Sequence, residues 1–206
     1  MKVELHLHTS RYSGCAHNTP AEMMQAMIAA RYDAVFITEH DAVWSDWEIE
    51  QLQAIFPDIL IFPGVELTLR EQPLVHLIVL GTTDEEYLLL RPDPAAVMEK
   101  ARSEGHLTLL AHPFRYEGAA EVLETPGEVP LPDALEYRSN NHDETMAAQS
   151  PSAGRRRGIK IVNAGDIHTV EKVNRFWIET HRPMARADNI REIVLHGQYD
   201  LCMREK

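Results

Sequence analysis

The chain has 206 residues, which is enough for one sizeable hydrophobic core and short for two. Its 32 acidic and 20 basic residues give a net charge of −12, which disfavours stable binding to nucleic acids or anionic membranes. No apolar stretch is long enough to cross a membrane, no secretory signal is recognised, and two cysteines encode no disulfide framework, so we expect a cytoplasmic protein.

Apolar runs of strand length alternate with helical patterns along most of the chain. Seven strands are predicted, at residues 3–8, 34–38, 60–69, 74–81, 107–111, 134–137 and 159–163. Helices are predicted at residues 20–31, 45–56 and 94–104, and at residues 143–157, where Pro151 and Gly154 interrupt the pattern. This alternation predicts one α/β domain over residues 1–206, with a mostly parallel sheet that is either open or closed as a barrel.

The third and fourth predicted strands are joined by residues 70–73 only, which is too short for a parallel crossover. We therefore expect an antiparallel hairpin. In that geometry Glu66 and His76 converge at the same rim of the sheet.

His6 and His8 lie in the first predicted strand, where side chains alternate between two faces. The alternation places Val3, Leu5 and Leu7 on one face and both imidazoles on the other. Two neutral imidazoles directed at one point form half of a metal site, although such a pair alone is more often structural. Four further candidate ligands follow the apolar cores of other strands, at the rim where barrel enzymes carry their chemistry: His40, His112, Asp166 and His168.

The ordered set of motifs resembles the PHP (polymerase and histidinol phosphatase) superfamily from residue 4 to about residue 200. The motifs are His6-Leu7-His8, Thr38-Glu39-His40-Asp41, Gly64-Val65-Glu66, His76, Ala111-His112-Pro113-Phe114-Arg115 and Gly165-Asp166-Ile167-His168. The resemblance implies a distorted seven-stranded (β/α) barrel and a metal-dependent hydrolase. It also implies two or three divalent transition metals (zinc, manganese or iron) as cofactors.

The resemblance further implies the ligands of each ion. One ion would be held by His6, His8, Glu66 and Asp166; Glu66 would bridge to a second, completed by His76 and His112; His40 and His168 would belong to a third. Members of the family usually supply another ligand a few residues after the His-x-His pair. Here Cys15 and His17 are available, but neither stands at the usual spacing. We therefore expect two tightly held ions and a weak third.

The resemblance favours a phosphoesterase that hydrolyses a small phosphorylated substrate with a metal-bridging hydroxide. His40 or His168 would donate a proton to the leaving oxygen if the third ion is absent. Arg115, Arg11 and Asn140 are candidate substrate contacts at the rim, although the arginines could instead pair with acidic groups there. A metal-dependent amide or ester hydrolase and a noncatalytic metal-binding module remain alternatives. The sequence does not indicate the oligomeric state.

Overall fold

The computed structural model describes residues 1–120 and 131–204. They form an α/β fold around a nine-stranded mixed sheet that curves into a nearly closed barrel. The strands are β1 (Lys2–Leu7), β2 (Ala34–His40), β3 (Leu60–Glu71), β4 (Leu74–Leu80), β5 (Leu107–Leu110), β6 (Ala134–Glu136), β7 (Lys160–Val162), β8 (Phe176–Thr180) and β9 (Tyr199–Met203). Their order in the sheet is β7-β6-β5-β4-β3-β2-β1-β8-β9. A bridge between Leu7 and Ile167 connects β1 to the segment after β7 and narrows the gap in the barrel.

The helices lie in the connections between strands. They are α1 (Pro20–Ala29), α2 (Asp46–Ile55), α3 (Glu86–Leu90), α4 (Pro94–Glu104), α5 (Glu144–Ala147), α6 (Ser150–Arg157) and α7 (Asn189–Leu195), with a short 3-10 helix at Val170–Lys172. Capping boxes begin α1 and α2, because Thr19 and Ser45 each accept from the backbone of a glutamate three residues later. Within the described residues, no helix has the length and apolar character needed to cross a membrane.

The prediction of seven strands is wrong, because two further strands extend the sheet beyond β1. β8 pairs antiparallel with β1, and β9 pairs antiparallel with β8. β9 has no buried residue and β8 has only two, so neither contains the apolar run that marks an inner strand. The predicted helix at 143–157 is divided into α5 and α6.

β3 and β4 pair antiparallel from Gly64 opposite Leu80 to Glu71 opposite Leu74. β4 also pairs antiparallel with β5, whereas β1–β2, β2–β3, β5–β6 and β6–β7 are parallel. The reversal in β4 brings the beginning of that strand to the rim where the parallel strands end.

The inner core of the barrel receives buried side chains from β1 to β8 and from α7. Val3 and Leu5 both belong to this inner core, whereas Leu7 belongs to a second core cluster that includes Met23 of α1. The expectation that Leu5 and Leu7 share one face is therefore wrong. The pairing of β1 with β2 shifts register between Glu4 and Leu7, and this β-bulge lets His6 follow Leu5 into the barrel.

Candidate metal centre

One carboxylate, that of Glu66, lies at the centre of the histidine cluster. Glu66 is fully buried within β3, where it pairs with His40 at the end of β2. Five imidazoles approach it: Oε2 lies 3.0 Å from His6, 3.1 Å from His8 and 3.1 Å from His40, and Oε1 lies 2.8 Å from His76 and 3.1 Å from His112. A carboxylate that offers one oxygen to each of two sets of imidazoles has the geometry of a bridging ligand.

A second carboxylate, that of Asp166, completes the other side of the cluster. Its Oδ1 lies 3.4 Å from Nε2 of His6, 3.5 Å from Nε2 of His8 and 3.3 Å from Nδ1 of His168. Asn141 donates a hydrogen bond from Nδ2 to Oδ2 of the same carboxylate. The two His-x-His imidazoles therefore face Glu66 and Asp166 together.

The donor atoms fit divalent transition ions. Among the residues that the structure describes, three groups have ligand atoms that all lie within 4.8 Å of one another: His6 with His8 and Asp166, His40 with Glu66 and His76, and His8 with His40 and His168. Nε2 of His6 and Nε2 of His8 are only 2.9 Å apart, and within the described residues no lysine or arginine forms an ion pair with either carboxylate. Imidazole nitrogens and carboxylate oxygens around two buried anions suit zinc, manganese or iron.

The charges of the cluster are coupled. Burial alone would lower the pKa of His6, but Asp166, Glu66 and Glu136 raise this pKa well above its ordinary value. Burial opposes ionisation of Glu66, yet the surrounding imidazoles, His6 first, hold the pKa of this carboxyl well below its usual range. The buried carboxylates thus draw positive charge, and divalent ions would compete with protons for the same nitrogens.

The two outer histidines differ from the inner ones. The side chains of His40 and His168 are 29% and 23% exposed, whereas those of His6 and His8 are fully buried. Burial lowers the pKa of His40 to about 4 and also lowers that of His168. Both are therefore neutral near pH 7 and can offer a nitrogen lone pair.

Backbone strain occurs at three of the ligand motifs. Asp41, His112 and Asp166 have positive φ values of 47°, 29° and 48°, and each follows the end of a strand. Non-glycine residues rarely adopt this conformation, which costs of order 1–3 kcal/mol and tends to occur at functional sites. The turn after His40 is fixed by Asp41, whose amide donates to the Glu66 carbonyl at 2.9 Å and whose Oδ1 accepts from the amide of Thr68 at 2.9 Å.

Two buried carboxylates near the centre were missed by the sequence interpretation. Oε1 of Glu136 lies 3.0 Å from Nδ1 of His6, and Oε2 accepts from the amide of His112 at 2.6 Å. Glu136 could have been noticed as a lone acid two residues after Ala134 in an apolar strand. Glu4 accepts through Oε1 from the amides of Leu5 and His6 in the β-bulge, and burial raises its pKa to about 8.

The predicted substrate contacts occupy three different surroundings. Arg115 is exposed, and its Cζ lies 5.1 Å from the ring centre of Tyr116, which packs edge-on against the His112 imidazole. Arg11 instead donates from Nε to Oε1 of Glu48 at 2.9 Å. Asn140 donates from Nδ2 to the backbone carbonyls of Gly165 and Lys172.

The candidate substitutes for the missing family ligand lie outside these groups. Cys15 and His17 are exposed, and neither belongs to any of the three sets of converging ligand atoms in the described chain. The backbone amide of His17 donates to the carbonyl of His168 at 3.0 Å, so the two loops are joined through their main chains.

No family model and no curated protein sequence matches the chain. Solved structures do match it. A two-domain protein from Bacteroides vulgatus that contains a predicted PHP-like metal-dependent phosphoesterase has a TM-score of 0.71 and 16% identity over 99% of this chain. The chain has the PHP-type fold. It spans 65% of that two-domain protein.

Two further structures with this PHP-type fold have similar scores. An amidohydrolase from Chromobacterium violaceum, with bound sulfate and no metal, has a TM-score of 0.67 and 16% identity, covering 98% of each chain. A proposed metal-dependent phosphoesterase from Bifidobacterium adolescentis has a TM-score of 0.61 and 12% identity, covering 93% of this chain and 94% of its own. The prediction of a PHP-type fold is therefore confirmed, with nine strands instead of seven.

Proposed function

We propose that residues 1–206 form a single metal-dependent hydrolase domain that cleaves a phosphoric ester in a small molecule. The observation that carries this proposal is the cluster of six histidines around Glu66 and Asp166 at one end of the barrel. The fold supports it, because proteins of the same fold are described as metal-dependent phosphoesterases.

The residues divide among the ions as follows in this proposal. His6, His8, Glu66 and Asp166 hold one ion; Glu66, His76 and His112 hold a second; His40 and His168 contribute to a third. Divalent transition ions supply a Lewis acid and lower the pKa of water toward neutrality, which is the chemistry that in-line attack on phosphorus requires.

The charge of the site makes phosphate binding depend on these ions. Glu66, Asp166 and Glu136 are carboxylates packed at the bottom of the site, and the chain carries an overall charge of −12. A phosphate group approaching these carboxylates alone would be repelled. Bound divalent ions reverse the local sign, so substrate affinity should follow metal occupancy.

Arg115 is proposed as the residue that holds the phosphoryl oxygens. Its guanidinium lies beside Tyr116 at the rim next to His112 and pairs with no carboxylate of the described residues. It is therefore free to present paired donors to two phosphoryl oxygens. Arg11, which is already paired with Glu48, and Asn140, which contacts backbone carbonyls, remain weaker proposals for substrate contacts.

His40 and His168 lie on the exposed edge of the cluster, where a leaving group would depart. Their lowered pKa values leave both imidazoles neutral near pH 7. A neutral imidazole is a metal ligand but a poor source of a proton. This supports their role as ligands of a third ion over the role of proton donor.

Amide hydrolysis is the second candidate, because one structure of the same fold is named an amidohydrolase. The two chemistries are separated by a substrate screen on manganese-loaded and zinc-loaded protein. We expect turnover of phosphomonoesters, phosphodiesters or nucleotides, and none of amides and carboxyl esters.

Two variants on β3 give the matched comparison for that screen. Glu66→Gln removes the central carboxylate, whereas Glu71→Gln changes an exposed glutamate on the same strand. Phosphatase activity lost in the first and kept in the second would support the proposal. Turnover of amides only would favour the second candidate, and metal binding without any turnover would leave a noncatalytic module.

A further inference from the structure

A buried chain of hydrogen bonds leads from the back of His8 away from the metal centre. Nε2 of His8 faces Oε2 of Glu66 at 3.1 Å, so Nδ1 lies on the opposite side of the ring. There it lies 3.2 Å from Oγ of Ser13, and Ser13 donates to Oε2 of Glu39 at 2.5 Å. His8 and Glu39 are fully buried and Ser13 is 1% exposed, so water does not compete for these bonds.

The surroundings of Glu39 fix the direction of this chain. Its carboxylate accepts from the amide of Thr9 at 3.1 Å, from the hydroxyl of Thr9, from Nε1 of Trp44 at 3.3 Å and from Ser13. The amide and the indole nitrogen can only donate. With donors on both oxygens, Glu39 acts as an acceptor, and the hydroxyl hydrogen of Ser13 must point toward it.

Only one role then remains for the imidazole. A serine hydroxyl has one hydrogen and two lone pairs. The hydrogen goes to Glu39, and one lone pair accepts from the amide of His40 at 3.1 Å. The second lone pair is left for Nδ1 of His8, which must therefore carry the hydrogen. In the neutral imidazole, the form that binds a metal ion, Nε2 is then without hydrogen and faces the site.

His6 shows the same arrangement with one residue fewer. Its Nδ1 lies 3.0 Å from Oε1 of Glu136, a carboxylate that accepts directly, and its Nε2 faces Glu66. Both imidazoles of the His-x-His pair thus have an acceptor behind Nδ1. For His6 this is a carboxylate, and for His8 it is a serine whose own hydrogen is held by a carboxylate.

We propose that Ser13 and Glu39 are positioning residues that fix His8 in the tautomer with hydrogen on Nδ1, and so prepare Nε2 to bind a divalent transition ion. Neither residue is a ligand. The inference rests on the proposed metal centre, because it assigns His8 as a ligand through Nε2. Partners behind ligating histidines typically change metal affinity by roughly 10- to 100-fold when removed.

The test compares zinc binding by Ser13→Ala with that of wild type and of Ser10→Ala. Ser10 lies in the same loop and is exposed, so it controls for the change from serine to alanine. Competition with a chromophoric chelator should show zinc bound roughly 10- to 100-fold more weakly by Ser13→Ala, and unchanged by Ser10→Ala. Glu39→Gln should weaken binding in the same direction, because an amide has only one oxygen for the four donors.

Imidazole ¹H–¹⁵N spectra of the zinc-loaded chain separate positioning from a merely structural role. In wild type the Nδ1 hydrogen of His8 should be visible and protected from exchange with water. This protection should be lost in Ser13→Ala. Ser13→Thr keeps the hydroxyl and should therefore preserve both the protection and the zinc affinity. Ser13→Thr and Glu39→Gln carry the test if Ser13→Ala does not fold.

Two results would overturn the inference. One is that the folded Ser13→Ala and Glu39→Gln variants bind zinc with an affinity within about threefold of wild type, because the usual loss on removing such partners is much larger. The other is a zinc-loaded wild type in which Nδ1 of His8 carries no hydrogen. Failure of the proposed metal centre is a different result, since wild type itself would then bind no zinc.

Discussion

Replacing Gly165 by alanine tests whether the loop that carries Asp166 has room for any side chain. A Cβ added to Gly165 would lie 2.4 Å from Cγ1 of Ile167 and 2.7 Å from Oε2 of Glu4. Ile167 is 1% exposed and Glu4 is fully buried, with its Oε1 held by the amides of Leu5, His6 and Gly165 itself. Neither neighbour can move without disturbing the β-bulge or the Asp166 turn.

The expected cost follows from this overlap. Forcing one extra carbon into a packed interior costs about 1–3 kcal/mol. In a chain of this size each kcal/mol shifts the unfolding temperature by about 2–4 °C, so the Tm should fall by roughly 2–12 °C. Because Asp166 is the next residue, Gly165→Ala should also lower the zinc content of the purified chain.

Thermal unfolding and elemental analysis of the same preparations measure both effects. Gly14→Ala is the matched control, since a Cβ at Gly14 meets no atom within 4 Å. Its Tm should stay the same or rise slightly, because alanine restricts the unfolded chain by about 0.4–1 kcal/mol. A Gly165→Ala chain with the Tm and the metal content of wild type would refute this reasoning.

Three other changes have defined outcomes. Arg115→Ala should lower the kcat/KM for a phosphate ester by roughly tenfold to hundredfold, the equivalent of about 1.5–3 kcal/mol. Arg115→Lys should recover part of this lost activity, and the metal content should be unchanged in both variants. Removing ions with a chelator should lower the Tm, and adding zinc back should restore it, because ions that bind the folded chain stabilise it. Burial opposes ionisation of Glu48, but hydrogen bonds from Tyr12, Ser45 and Arg11 lower its pKa to about 2. Since this pKa lies below the unfolded value of 4.5, ionised Glu48 stabilises the folded chain above pH 4.5, and this stabilisation is lost as the pH falls toward 2. In urea unfolding, the free energy of unfolding of Glu48→Gln should therefore fall by about 1 kcal/mol less than that of wild type over this pH range.

Much of the barrel could be predicted because its inner strands contain runs of buried, apolar residues. β2 ends at His40, and its buried run of residues identifies it without any knowledge of its neighbours. β9 could not be identified in this way, because it lies at the edge of the sheet and three of its five residues are exposed. Its position depends on pairing with β8, which is a long-range contact.

The partners of the proposed ligands could not be predicted from local patterns. Glu136 lies 130 residues from His6, and Glu39 lies 26 residues from Ser13. Nor could the sequence tell that Arg11 would pair with Glu48, which is 37 residues away. The β-bulge could not be predicted for another reason. Strict alternation along β1 already placed His6 and His8 on one face of the strand, and it gave no indication that Leu5 also points into the barrel.

The metal content of the purified chain tests the central claim most directly. Wild type prepared without chelator should contain more than one transition-metal equivalent per chain, and titration should find two tight equivalents and at most one loose one. Glu66→Gln should lower occupancy at both tight positions, while Glu71→Gln should match wild type. A wild-type chain without bound metal even after zinc or manganese is supplied, or a Glu66→Gln chain that retains two tight equivalents, would contradict a metal centre bridged by Glu66.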